Sequence, residues 1–335
     1  MFYLNLFKFL LMVFTINCYA LPKKKLLIVA IPTGFVHDSI PSLQKMISKM
    51  AKEDKSFDLE IFSLSKKEDR KPLIMFGLHL QKIASLQKKL PPEEFHNLYK
   101  EYFNFLKNPK LTTFDDKWKV VATKEEIEKE NKLHKNWIKN VLPLKFKKIT
   151  TKFLSKFNGV IFANTTGELP LPDPLGFLNW IKQGNAFIGI HAASDTFHAL
   201  PEYIEMLGGE FLSHGVQTGV TLLNANPSHP ANKNLPLNWK IDLEEIYLFK
   251  NYDKEKVTEL LVLDTHPDTK SPGRFPVAWC KSFGTGRVFY TSLGHRIDLI
   301  DNDSKLKDRI NSIESSDFFK NHLLNGIKWA LNTEI

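Results

Sequence analysis

The segment Gly184-Asn-Ala-Phe-Ile-Gly-Ile-His-Ala-Ala-Ser-Asp195 restricts the fold more than any other. Its apolar run, Ala186 to Ile190, reads as a buried strand that ends abruptly in His191, two alanines and Ser194-Asp195. Buried parallel strands take this form, and in open α/β sheets ligands bind outside their carboxyl ends. Gly189-Ile-His-Ala-Ala193 also has the pattern of a nucleophile elbow, in which small neighbours permit a sharp strand-to-helix turn. Histidine holds the nucleophile position.

The flanking sequence extends the pattern. Lys25 to Ile31 is a buried strand, Pro32 to Asp38 a loop, and Ile40, Leu43, Met46, Ile47 and Met50 recur at helical spacing behind a cap at Asp38 or Ser39. Phe57 to Leu64 follows as a second strand, which makes β-loop-α-β, the opening of a doubly wound sheet. The pattern resumes at a Gly159–Asn164 strand, and Asp173-Pro174 starts a helix closed by Gly184. Later strands are expected at 219–224, 241–249, 259–263, 276–281 and 286–292, with a short helix at 200–207 and a closing helix at 318–331. His214 is expected in a loop, and Gly284-Thr285-Gly286 in a hairpin turn.

Between these parts, residues of about 66–150 read as a Lys-rich helical insertion. Pro91-Pro92-Glu93-Glu94 starts one helix, and Thr123-Lys-Glu-Glu126 is a capping box for another. Residues 66–148 carry 20 Lys/Arg and 11 Asp/Glu, which equals the +9 of the whole chain. The basic character therefore belongs to this segment, where lysine and glutamate mix as on a solvated helical face. Docking of the segment on an anionic surface is the alternative.

The first twenty residues have the form of a Sec-type signal: Lys8, an apolar run Phe9 to Ile16, and Cys18-Tyr19-Ala20 before cleavage. The protein is accordingly expected to be secreted or periplasmic, with residues 21–335 forming one α/β domain. No later apolar run is long enough to span a bilayer, and nothing in the sequence sets an oligomeric state. Cleavage removes Cys18 and leaves Cys280, which reads as a small core residue. Nucleic acid is not an expected partner of an exported chain without a binding motif.

Polar clusters close three of the strands: His37-Asp38-Ser39, Asn164-Thr165-Thr166, and His191 with Ser194 and Asp195. In a parallel sheet these ends share one edge. His214, Gln217, Glu244-Glu245, Tyr247 and His295 follow in later segments. The ordered set Gly-Phe-Val-His37-Asp-Ser-Ile, Asn164-Thr-Thr-Gly167, Gly189-Ile-His-Ala-Ala-Ser-Asp195 and Leu207-Gly-Gly-Glu-Phe-Leu-Ser-His214 resembles the ThuA-like (trehalose-utilisation) family. Asn226-Pro-Ser-His-Pro230, Glu244-Glu-Ile-Tyr247, Pro276-Val-Ala-Trp279, Gly284-Thr-Gly-Arg287 and Tyr290-Thr-Ser-Leu-Gly-His295 continue the resemblance. It implies a flavodoxin-like, class I glutamine amidotransferase-like fold and a link to disaccharide and keto-sugar metabolism. Two departures stand out: the basic insertion, and Glu244 where the family's run carries Asp.

Amidotransferases of this fold place cysteine at the elbow. Histidine at 191 excludes glutamine hydrolysis by a thiolate. Three readings of the histidines stay open. In one, His191, His214 and His295, with His37 or Glu245 as further candidates, hold a divalent metal such as zinc. In another, His191 is a general acid/base oriented by Asp195 or Glu245. In the third, the histidines only tie strand ends together. His37, Asp38, Asn164, Thr165, Thr166, Ser194, Gln217 and Tyr247 are the expected contacts for a sugar or keto-sugar. The expected function is hydrolase- or lyase-like chemistry on a carbohydrate, and the alternative is a non-enzymatic carbohydrate-binding or scaffold protein.

Overall fold

The computed structural model describes residues 23–63, 132 and 136–333. Strand β1 (Lys24–Ala30) shows why the chain folds in layers. Side chains alternate across a strand, so Leu26, Ile28 and Ala30 enter one core and Leu27, Val29 and Ile31 the other. Both faces must therefore be covered. Helices α1 (Ile40–Asp54), α6 (Ile297–Ile300) and α7 (Ile313–Ala330) cover the first. The second is covered by α2 (Leu142–Phe146), α3 (Thr151–Leu154), α4 (Pro174–Lys182) and α5 (Pro201–Leu207).

The remaining strands are β2 (Phe57–Ser63), β3 (Gly159–Ala163), β4 (Ala186–Ile190), β5 (Glu210–His214), β6 (Thr218–Asn224), β7 (Asn238–Glu244), β8 (Tyr247–Lys250), β9 (Thr258–Thr265), β10 (Pro272–Phe283) and β11 (Gly286–Thr291). Nine of the strands form one sheet in the order β2-β1-β3-β4-β11-β10-β9-β6-β7. The first five are parallel and the last four antiparallel. A two-stranded sheet, β5-β8, stands apart. The carboxyl ends of β1, β3, β4 and β11 lie along one edge, as the doubly wound pattern requires.

Several local expectations need correction. The run 241–249 is two strands in different sheets, broken at Glu245-Ile246. His214 is the last residue of β5 instead of a loop residue. The closing helix begins at Ile313, where the Ser312 side chain accepts from the Ser315 N–H. Ser39 occupies the N-cap of α1 but makes no cap bond, because its hydroxyl donates to the Gly294 carbonyl at 2.9 Å. The Arg287 guanidinium donates to the Trp329 carbonyl at the end of α7 at 2.7 Å. Most of the proposed insertion, including its two expected helix starts, lies outside the described residues. Its C-terminal part is a π-helical turn, Trp137–Val141, running into α2, and Trp137, Leu142 and Phe146 are buried in the second core.

Strand β7 is an edge, and Asn311 closes it. The Asn311 Oδ1 accepts from the Asp242 and Leu243 N–H groups, both at 3.0 Å, and its amide donates to the Leu243 carbonyl at 2.8 Å. Unpaired edges are templates for association. Asn311→Ala is therefore expected to cost about 1–3 kcal/mol by stripping partners from these groups. Urea unfolding would measure the loss, and sedimentation would show concentration-dependent self-association.

Candidate functional site

The elbow expected at His191 is present. After β4 the chain enters a 3₁₀ turn, His191–Asp195, with His191 at φ 49°. Asn164, at the end of neighbouring β3, has φ 52°. Left-handed backbone at a non-glycine residue costs energy and must be held by its surroundings. Here Tyr290 Oη donates to the His191 carbonyl at 2.8 Å and Tyr203 Oη to the Ala193 carbonyl at 2.8 Å. A Cβ at Gly189 would lie 3.0 Å from the Tyr290 ring and 3.2 Å from the Ala193 Cβ, so the close approach favours glycine.

His191 is fully buried, and its Nδ1 lies 2.6 Å from the Ser292 carbonyl. A carbonyl only accepts, so Nδ1 carries the hydrogen. That orients the ring and places Nε2 3.5 Å from Glu245 Oε2. His295 Nδ1 reaches the same oxygen at 3.2 Å, while His214 Nδ1 reaches the other, Oε1, at 3.1 Å. His37 packs edge-on against both His191 and His295, with ring centroids 4.8 and 5.4 Å away. One donor atom each from His37, His191, His295 and Glu245 lies within 4.8 Å of every other. His214 stands outside that group, on the far side of Glu245. Of the expected ligand trio, His191 and His295 are brought together, and His37 and Glu245 complete the set.

The break between β7 and β8 builds this centre. Glu244 is fully buried, and its carboxylate accepts from the N–H groups of Glu245 at 3.0 Å, His295 at 3.1 Å and Arg296 at 3.4 Å. It thereby binds the carrier of Glu245 to the carrier of His295. Sequence reasoning noted Glu244 only as a departure from a family pattern. Its local signal is an acid next to an acid in the middle of the run 241–249.

Electrostatics divides the cluster. Burial, reinforced by His191 and His295, holds the His37 imidazole well below its usual range, so it is neutral at physiological pH. Burial disfavours the Glu245 carboxylate, but His214 and His295 outweigh it and hold the group well below the usual carboxylate range. At His295 burial opposes the proton, yet Glu245 and then Glu244 raise the net affinity for it. Burial raises Glu244, against the pull of His295 and His191. Burial likewise brings Asp38, half-buried beside His37, up to about 6.

Not every expected contact faces the cluster. Asp195 does not orient His191: its carboxylate is 2.8 Å from His198 Nε2. Ser194 shares a hydrogen bond with Tyr290 Oη at 2.8 Å. Thr165 pairs with Thr196 at 2.8 Å, and Thr166 donates to the Phe35 carbonyl at 2.8 Å, so both hydroxyls serve loop-to-loop contacts. Gln217 accepts from Arg296 at 2.9 Å. Asn164 donates to Ser39 Oγ and the Gly294 carbonyl; its buried Oδ1 has no hydrogen-bond partner among the described residues, and neither does His37 Nδ1. Tyr247 is buried with its ring centroid 4.3 Å from that of His191. Cys280 is buried, and burial raises its thiol to about 12; His229 Nε2 lies 3.5 Å from its sulfur.

The sequence model of the ThuA family, described as trehalose utilisation, matches residues 117–330, more than half of the chain. The chain belongs to the ThuA family. Among the solved structures that resemble it are two ThuA-like proteins. A ThuA-like protein of Parabacteroides merdae shares 16% identity over 93% of this chain and 91% of its own, with a TM-score of 0.53. A ThuA-like protein of Bacteroides uniformis shares 16% identity over 96% of each chain, with a TM-score of 0.52. At that identity they show the fold alone. Curated proteins yielded no match. No helix among the described residues is long and apolar enough to cross a membrane.

One feature of this ThuA-family chain escaped the sequence reading. His198 lies between Asp195, at 2.8 Å from Nε2, and Glu210, at 2.6 Å from Nδ1. The clamp ties the turn that carries His191 to β5, which carries His214. The hydrogen bond with Asp195, then that with Glu210, outweighs burial and raises His198 to about 9. A folded value above the unfolded one stabilises the protein fully below the unfolded value and loses that contribution as pH rises through the folded value. The melting temperature of the wild type is thus expected to fall between about pH 6.5 and pH 9 relative to that of His198→Gln. His198 is partly exposed, so the contribution at low pH is on the order of 1 kcal/mol or less.

Proposed function

We propose that this ThuA-family protein works outside the cytoplasm as a carbohydrate-active enzyme whose strand-end cluster holds one divalent metal ion, with zinc the best match to three imidazoles and a carboxylate. The observation that carries the reading is the convergence of His37, His191, His295 and Glu245, all nearly buried, with one donor atom from each inside a 4.8 Å span. Tetrahedral ligands at zinc bond lengths of about 2.0–2.1 Å lie roughly 3.3 Å apart. The Glu245 separations of 3.2 Å to His295 and 3.5 Å to His191 already match that spacing. The chemistry of the donors fits as well. His191 is oriented through Nδ1 so that Nε2 faces the cluster, His37 is held neutral, and the buried His37 Nδ1 has no hydrogen-bond partner among the described residues.

A bound divalent ion supplies Lewis acidity for a sugar carbonyl or hydroxyl. The chain's own residues set the surroundings: Glu244 fixes the spacing of Glu245 and His295, and His214 holds the outer oxygen of Glu245. This arrangement and the family's description as trehalose utilisation support a hydrolase- or lyase-like reaction on a sugar or keto-sugar as the reading. A second reading rests on the ion pairs of Glu245 with His214 and His295, which balance its charge within the protein. In that reading the histidines transfer protons directly and need no metal.

Elemental analysis of the mature protein, purified without chelator or an affinity metal, tests the proposal. About one equivalent of zinc, or of a similar ion, is expected. Folded, active, metal-free protein leaves the second reading in place.

A further inference from the structure

We propose that the face formed by α2, α3 and the turns around them docks on an anionic lipid bilayer, through lysines set around one protruding leucine. The inference is independent of the metal reading. From Asn131 to Gly167 the chain carries eight lysines and no aspartate, glutamate or arginine. The mixing of lysine with glutamate that marks the earlier part of the insertion stops here. Lys139, Lys147, Lys148, Lys152 and Lys156 are exposed, and among the described residues none of the five forms an ion pair. The acids of the adjoining edge strand β2 are already matched, Asp58 by Lys23 at 3.2 Å and Glu60 by Lys25 at 3.1 Å. The face therefore keeps a net positive charge.

Packing gathers these lysines into one patch. Leu142, Phe146, Ile149, Leu154 and Phe157 turn inward to the second core, which leaves the residues between them outside. Lys148 Nζ lies over the Phe62 ring at 4.7 Å and over that of Phe153 at 5.8 Å, and Lys156 Nζ reaches the same Phe153 ring at 5.4 Å. The charge at the end of α2 is thus joined to that of α3. Within this basic surface Leu144 is 73% exposed, although Leu142 and Phe146 on either side are buried. An exposed leucine among lysines separates a bilayer from a soluble polyanion as partner. Headgroups attract the ammonium groups, and the acyl boundary takes the apolar side chain. The lack of arginine argues the same way. Discrete phosphates and carboxylates are held by guanidinium forks, whereas ammonium groups act as point charges in a diffuse field.

The test is co-sedimentation of the mature protein with vesicles of phosphatidylglycerol and phosphatidylcholine, and with vesicles of phosphatidylcholine alone. Binding is expected to the mixed vesicles only, and to disappear at about 1 M salt, where the screening length is about 3 Å. A lysine near an anionic surface strengthens binding about fivefold, so the combined Lys139→Gln, Lys147→Gln and Lys152→Gln variant should bind roughly a hundredfold more weakly. These side chains are exposed, and a melting temperature equal to that of the wild type shows that the variant is folded. Leu144→Ser is expected to weaken binding about fivefold at unchanged net charge. Absence of binding to the mixed vesicles overturns the inference, as does equal binding to the neutral ones. Mixed-vesicle binding that survives the triple substitution places the contact elsewhere and overturns it too. So does wild-type affinity in Leu144→Ser, which with tight binding of dextran sulfate would assign the surface to a soluble polyanion.

Discussion

His191→Ala is expected to reduce the metal content of the protein from about one equivalent to below a tenth, and to abolish turnover with it. The imidazole's Nδ1–H is committed to the Ser292 carbonyl at 2.6 Å, so its Nε2 is oriented before any ligand arrives. Removing an oriented ligand takes both its bond and its preorganisation from the ion. The variant should still fold. The turn around residue 191 is held by main-chain contacts from Tyr290 and Tyr203 that do not use the imidazole. Metal analysis beside circular dichroism and a melting curve checks this. A folded variant that keeps the full equivalent would show that His191 is not a ligand. Glu244→Gln should retain metal better than Glu244→Ala, because the amide oxygen can still accept from the N–H groups of Glu245 and His295.

The largest loss of stability is expected at Trp279. It is fully buried, and its indole N–H donates to the Leu207 carbonyl at 2.8 Å. Its ring meets Tyr290 at 4.4 Å, Phe249 at 4.9 Å and Tyr252 at 5.1 Å. Trp279→Ala removes a large apolar side chain and leaves a cavity and an unpaired carbonyl, a loss of about 3–5 kcal/mol. Trp279→Phe should lose less, since it keeps most of the ring packing. The site should feel the change through Tyr290, whose hydroxyl supports the His191 carbonyl. Chemical denaturation measures the first effect, and metal affinity under folding conditions the second. A loss below about 1 kcal/mol for the alanine variant would contradict the packing account.

The parts of this fold that were legible in the sequence are those set by local pattern. Ala186 to Ile190 is apolar because β4 is buried on both faces, and the small residues after it mark the turn that places His191 at the sheet edge. The shared edge of His37, Asn164 and His191 follows from parallel pairing alone. What was not legible depends on distant partners. The segment 241–249 reads as one strand, but Glu244 is needed by the N–H groups of His295 and Arg296, and the chain breaks there into two sheets. Asp195 looks like a partner for a histidine four residues before it, yet the 3₁₀ turn directs it to His198. Thr165 and Thr166 look like sugar contacts because they end a strand, and their hydroxyls are consumed by Thr196 and Phe35. Glu245 reads in sequence as a further ligand or as a partner that orients His191, but nothing near it reveals three histidines around its carboxylate.

Diffraction data collected on either side of the zinc absorption edge, from crystals of the protein grown without chelator, test the central claim most directly. The account predicts one strong anomalous peak among His37, His191, His295 and Glu245, with His214 on the outer oxygen of Glu245. A folded protein with no peak there, or with its only peak elsewhere, would contradict it.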